Sequence, residues 1–445
     1  MTIPTDEAKK LTICLYLSGE RAQKAFTVLE ALSTTPGFGT RWDVIIGIDS
    51  ISYDLAHFTH SEHRSGSKAI FIESRGCIGK DQFIFAMVAN LQTQYILILD
   101  DAVSLEKGWI SQVEAFIDAT KPRGLAGALL QSTATPSSPS STQPIVLHES
   151  AVLINTAFLR TYEHAAIPTI LDHDFAFFDE HLSTALGLSA APAHPFNPQI
   201  LQLSRGLRPR EQSLDDAKPL LSACLCTYGD HPELILRCLD SILREHLSSS
   251  DIEILLGCNV ASLRVMREIE ERYNRGLLNT LIRSPKNLNK SGIQRLTFRL
   301  SRGAYILSLD DDMYFKAGWL ERMKKFVVAR HPFDAAGRLH SLSSRLGWSG
   351  RKKPYHEFVA RKKWWRGKQP HDDEVHFPAG QCFLARRSFA IANDYPDLGM
   401  KIDWDDVLLG DLVIQLDGTQ IFFSDDLYER IVVDDIQSRG HHGGG

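Results

Sequence analysis

The chain has 445 residues, too many for one ordinary domain, and 43% are hydrophobic, enough to fill a core and exclude disorder throughout. Its 49 basic and 54 acidic side chains leave a net charge of −5, so bulk attraction to a polyanion is excluded and any such role needs a local patch. No apolar run reaches the roughly 20 residues of a membrane helix, MTIPTDEAKK lacks the layout of a secretory leader, and the seven cysteines form no C-x-x-C pair, so reduced core thiols in a cytoplasmic protein are expected.

In chain order, residues 11–17 predict a buried strand, 21–33 a helix, 43–48 a second strand and 81–91 a later helix. YILILD follows as a third apolar strand ending in acids. Residues 132–144, STATPSSPSSTQP, are low-complexity and read as a surface loop. Residues 206–219 have the polar, charged, proline-containing composition of a linker. The same order then returns: strand 221–227, helix 232–246, strand 253–258, helix 291–302 and the strand YILSLD. Continuous apolar strands alternating with helices predict an α/β fold with a mainly parallel sheet. Ligands in such sheets bind beyond the carboxyl ends of the strands.

The recurrence is visible residue by residue. A shift of 210 lays LTICLYLSGE over LSACLCTYGD, WDVIIGIDS over IEILLGCNV and Lys80 over Lys290. It lays YILILDDAVSLEKGWI over YILSLDDDMYFKAGWL, identical at eight of sixteen positions. The period is far too long for a solenoid repeat and suits a duplicated domain. The expected organisation is a first domain over 1–205, a linker over 206–219 and a second domain over 220–445.

Chemistry concentrates in the second half. Asp310, Asp311 and Asp312 follow YILSL directly. Acids at a strand end can hold a hard divalent cation, and they can equally be a solvated turn. The surroundings decide between these. CLCTYGDHPELILRCLDSIL before the acids and AGWLERM after them resemble the family 2-like glycosyltransferases of the GT-A fold. The resemblance implies two tandem GT-A domains, a nucleotide-diphosphate sugar donor (UDP-sugar first) and Mn²⁺ or Mg²⁺. It also implies that Thr227 and Tyr228 contact the donor, that Asp310 lies near ribose and metal, and that Asp312 binds the metal, with Asp311 between them. Asn259 stands near the place of an acid close to the base. Lys290 and Arg295, on the helix before the Asp strand, would add cations to the diphosphate; singly, each is equally well a surface side chain.

Farther on, IDWDDVLLGDLVIQLDG (402–418) resembles the acid-pair helix of inverting GT-A enzymes. The resemblance makes Asp406 the general base, Asp405 its neighbour toward the acceptor, and Asp411 the fallback; the pair would also suit an ordinary helix N-terminus. HFPAGQCFLARRSF resembles the family's glycine-containing loop and points to Gly380. His441 or His442 would be a late metal ligand, or part of a frayed tail.

Across the repeat, the first half loses these acids. Ala102 lies over Asp312, and at a shift of 231 Asp174 lies over Asp405 and Phe175 over Asp406. Residues 1–205 are therefore expected to be a degenerate, non-catalytic copy, although Asp100, Asp101 and Glu180 remain. The change of shift leaves 21 additional residues in the second half, within an interval holding the stretch 345–370 with nine Lys or Arg against one acid. Trp348, Trp364, Trp365 and Arg366 there suit a lid over donor or acceptor, a surface helix anchored by its tryptophans, or a grip on nucleic acid. The expected function is metal-dependent, inverting sugar transfer to a glycan, lipid-linked sugar, protein or small molecule, with a modified DNA base as a narrower alternative. A nucleotidyltransferase and a non-catalytic sugar-nucleotide-binding module are the readings from other classes, and a homo-oligomer is open.

Overall fold

The computed structural model describes residues 10–18, 22–38, 41–51, 53–64, 68–76, 78–88, 93–122, 125–129, 147–155, 175–177, 186, 219–246, 250–325, 327, 340–343, 382–393, 419–422 and 428–430. Two compact units emerge. One comprises Met1–Leu207 with Thr280–Lys286, the other Arg208–Asn279 with Asn287–Gly445.

The chain begins β1 (Leu11–Ser18), α1 (Ala22–Ser33), β2 (Asp43–Asp49), α2 (Tyr53–Arg64), β3 (Ile70–Ser74), α3 (Lys80–Met87), β4 (Tyr95–Asp100) and α4 (Trp109–Thr120). Strands β5 (Leu125–Leu129), β6 (Leu147–Asn155) and β7 (Phe175–Phe177) follow. The second run is β8 (Leu221–Gly229), α5 (Pro232–His246), β9 (Ile252–Ala261), α6 (Leu263–Asn274), β10 (Thr280–Ser284), α7 (Asn289–Leu300), β11 (Tyr305–Asp310) and β12 (Met313–Phe315). Strands β13 (His340–Ser343) and β14 (Cys382–Arg386), helix α8 (Arg387–Asn393) and strands β15 (Thr419–Phe422) and β16 (Tyr428–Arg430) complete the described elements.

In the first unit the strand order is β10–β3–β2–β1–β4–β6–β5–β7. Strands β3, β2, β1 and β4 run parallel, while β10 joins β3 and β6 joins β4 antiparallel. The β3–β10 pair buries an ion pair between Glu73 and Arg283, whose guanidinium also meets His60. In the second unit the order is β15–β13–β14–β11–β8–β9, with β9, β8 and β11 parallel and β14 antiparallel to β11. A separate two-stranded ladder joins β12 to β16. The α/β expectation holds, but each sheet is mixed, since the returning strands β6 and β14 run against their neighbours.

The strands form because their residues are apolar on both faces, as buried parallel strands require. Leu221 through Cys226 are all 9% exposed or less. The first strand after α2 and after α6 went unread in the sequence. IFIES and TLIRS are five residues long and end in polar side chains, too short for a period to show. YILILD and YILSLD are consequently the fourth strands of their runs, not the third.

Pairing registers recur at the shift of 210. Thr12 pairs with Asp43 and Tyr16 with Asp100 in the first unit; Ser222 pairs with Glu253 and Cys226 with Asp310 in the second. A glycine sets how closely the next helix lies. A Cβ at Gly47 would sit 2.5 Å from Phe83 of α3, and one at Gly257 would overlap Ile293 of α7. The absence of a side chain on β2 and β9 thus lets each helix approach the strand directly.

Candidate active site

The parallel strands β9, β8 and β11 end together, and the connections on either side of β8 run in opposite directions, the arrangement in which open α/β sheets bind ligands beyond their carboxyl ends. Thr227 near the end of β8 is fully buried and donates its hydroxyl to Asp311 Oδ2 at 2.6 Å. Tyr228 alternates to the other face and is 52% exposed, its ring edge-on to His231 at 6.4 Å. The register shifts after Tyr228: Gly229 pairs with Ala261, and Val260 of β9 is the extra residue of a bulge.

Asp310 closes β11, and Asp311 and Asp312 form the turn that leads into β12. Lys290, in the first turn of α7, reaches Asp310 with its ammonium at 2.6 Å. Asp311 is part-buried, and its carboxyl is pushed up to about 7. Desolvation is the main cause. The Thr227 bond opposes it, Asp310 and Asp312 add to it, and Lys290 pulls it back. Asp311 thus feels two neighbouring carboxyls and one ammonium, the latter held on Asp310.

Asn259 at the end of β9 is 5% exposed. Its Oδ1 accepts the Leu288 backbone N–H at 2.9 Å and its Nδ2 donates to Asn287 Oδ1 at 3.0 Å. Arg295 lies on α7 five residues beyond Lys290, about 140° around the helix axis, so the two cations do not share a face. Behind the tips sit Cys226, Cys238, Cys258 and Cys382, all buried. Burial pushes the Cys226, Cys238 and Cys382 thiols up, which leaves them protonated and inert.

The structure therefore brings Thr227, Asn259, Lys290 and Asp310–Asp312 to one strand-end cluster. Tyr228 stands at its rim, and Arg295 points elsewhere around its helix. Asp405, Asp406, Asp411, Gly380, His441, His442, Trp348, Trp364, Trp365 and Arg366 lie outside the described residues, as do residues 132–144. Among the described residues, no three His, Cys, Asp or Glu side chains converge on one metal position. The sequence reading missed Asn287 and Asn289. The signal was the turn chemistry of Asn-Leu-Asn between Pro285 and the helix.

The first unit carries a related tip. Lys80 reaches Asp100 at 2.5 Å, as Lys290 reaches Asp310. Asp101 takes its bond from the Ser18 backbone N–H at 3.0 Å, because Leu17 stands where the second run has Thr227. Ala102 offers no carboxylate, and Phe175 lies in β7.

Residues 222–392, nearly all of them in the second unit, match the model of the family described as Glycosyl transferase family 2. This stretch of the second unit is similar to the family 2 glycosyltransferases. No curated protein matches the chain. Among solved structures, S. aureus TarS 1–349 is 17% identical at a TM-score of 0.33, covering 47% of this chain and 59% of that one. The mannosyltransferase PcManGT from Pyrobaculum calidifontis, in complex with GDP-Man and Mn²⁺, is 16% identical at a TM-score of 0.36, covering 53% of this chain and 65% of that one. The chain thus spans less than two thirds of either structure. Among the described residues, no helix is long and apolar enough to cross a membrane.

Proposed function

We propose that the second unit transfers a sugar from a nucleoside-diphosphate donor to an acceptor hydroxyl, with inversion at the anomeric carbon. The observation that carries this reading is the Lys290–Asp310 contact of 2.6 Å beside the Thr227–Asp311 bond, at the strand ends of the stretch similar to family 2. The donor set suits a hard divalent cation: carboxylate oxygens at a strand tip, with diphosphate and water to complete the shell. Asp310 and Asp312 would hold Mn²⁺ or Mg²⁺, which when bound neutralises the charge that gathers on the departing diphosphate.

The chain's own groups supply the rest. Lys290 presents an ammonium at the start of α7, where the helix N-terminus also favours negative charge. Thr227 holds Asp311 in place, and through it the turn that carries Asp310 and Asp312. Tyr228, half-exposed at the rim, offers an aromatic face to the donor. Asp406 takes the acceptor proton as the hydroxyl attacks, with Asp405 beside it; this assignment rests on the resemblance of 402–418 alone.

The shared registers and the paired Lys80–Asp100 and Lys290–Asp310 contacts support a tandem duplication of one fold. We take the first copy as non-catalytic, because Ala102 and Phe175 replace the acids assigned to metal and base. A cytoplasmic location and a soluble or glycan acceptor are parts of the same proposal.

The test is donor turnover. Incubation with nucleotide sugars and Mn²⁺, without acceptor, should slowly release nucleoside diphosphate and free sugar. Release of nucleoside monophosphate and sugar 1-phosphate instead would point to nucleotidyl transfer, and no metal-dependent release at all would contradict the reading.

A further inference from the structure

The tip of β9 has a task that the reaction above does not use. Both ends of the Asn259 amide are committed to the loop that enters α7: Oδ1 to the Leu288 N–H and Nδ2 to Asn287 Oδ1. Asn287 Oδ1 also accepts the N–H of Asn289 at 2.9 Å. Asn289 sits in the left-handed region at φ 59, and Lys290 is the next residue. No side chain caps α7 at Leu288, so its entry is held from β9 instead. The next residue along β9, Val260, is also left-handed at φ 56, a costly conformation for a β-branched side chain. Such strain persists only where the surroundings fix it. Here the Asn259 bonds lie on one side, and on the other Ser262 N–H donates to the Gly229 carbonyl at 2.7 Å.

The first unit builds the same connection from different residues. Asp49, at the position of Asn259 under the shift of 210, accepts the Ile78 N–H at 3.0 Å and the Gly79 N–H at 2.8 Å. Gly79 has φ 93 and Ser50 has φ 53, matching Asn289 and Val260. Lys80 follows and meets Asp100. A carboxylate in one copy and an amide in the other perform one tie, so the feature common to both is the tie, not the charge.

We propose that Asn259 is a positioning residue for Lys290. It fixes loop 287–289 and thereby the point from which the ammonium meets the donor diphosphate, and it makes no contact with the base. This rests on the reading that Lys290 faces the diphosphate.

The test is calorimetric titration of UDP and of GDP, each with Mn²⁺, into the full chain and its variants. Asn259→Ala should weaken whichever nucleotides bind by the same factor, about tenfold, the scale of one charge-assisted bond. Asn259→Asp should restore part of the affinity, since a carboxylate still accepts the Leu288 N–H, as Asp49 accepts from its loop in the first unit, but cannot donate to Asn287 Oδ1. Asn287→Ala, which cuts the tie from its other end, should weaken both nucleotides alike and serves where Asn259→Ala does not fold. Adding Asn259→Ala to Lys290→Ala should cost nothing more. A loss confined to one of two nucleotides that both bind the unaltered chain, a loss that adds in full to that of Lys290→Ala, or unchanged affinity in Asn287→Ala would overturn the proposal. If Lys290→Ala itself leaves both nucleotides unaffected, the reading of the site fails, and this proposal with it.

Discussion

Thr227 donates its hydroxyl to Asp311 at 2.6 Å, and this single bond joins the end of β8 to the turn that carries the acidic cluster. The carboxyl it holds is pushed up to about 7, chiefly by desolvation. The folded protein therefore binds this proton more tightly than the unfolded chain, whose carboxyl has the ordinary value of 3.8. The contribution to stability is complete below about pH 4 and is lost as pH rises toward 7. Asp311→Asn keeps an acceptor for Thr227 and removes the charge. In metal-free protein it should gain about 1 kcal/mol at pH 8, allowing for the partial solvent exposure of the site, and nothing at pH 4. Thermal melts at the two pH values check this, and an equal effect at both would contradict it.

Asp312→Ala should abolish manganese-dependent nucleotide binding, with a loss of at least about tenfold, while leaving the melting temperature within a few degrees of wild type. Calorimetry with and without Mn²⁺ reads both the affinity and its metal dependence. Unchanged binding in the variant would remove Asp312 from the metal's ligands.

Asp406→Asn should separate binding from chemistry. Nucleotide affinity is expected to persist, and transfer to fall by about 10²–10⁴-fold, the usual share of a general base. The kcat of transfer, once an acceptor is in hand, is the quantity to compare. A variant with normal turnover would shift the role to Asp405 or Asp411.

Gly257→Ala should destabilise the second unit by about 1–3 kcal/mol, because the new methyl overlaps Ile293 and pushes α7 off β9. The added substitution Ile293→Ala frees space for the methyl, and the double variant should lose less than the two single losses combined. Urea melts give the comparison. Since Lys290 lies in the first turn of α7, the single variant should also weaken nucleotide binding.

Much of this site was legible before the fold. YILSLD shows its strand by continuous apolar residues and its tip by three acids. Lys290 drew notice because the shift of 210 keeps it as Lys80. The parts that stayed hidden depend on pairing between distant segments. Nothing local to CLCTYG says that Thr227 reaches Asp311. That follows from the parallel register that sets Cys226 beside Asp310. Asn259 was legible as a strand-end polar residue, yet its partners Asn287 and Leu288 lie 28 and 29 residues away and meet it only when α7 folds back on β9. Likewise Gly257 looks like an interruption in an apolar run until the helix above it is in place.

The measurement that bears most directly on the central claim is the manganese anomalous signal from crystals grown with Mn²⁺ and a nucleoside diphosphate. The account predicts a peak at Asp310 and Asp312, bridged to the diphosphate, with Lys290 alongside. No peak at these residues, or a peak only at Asp100 and Asp101, would contradict it.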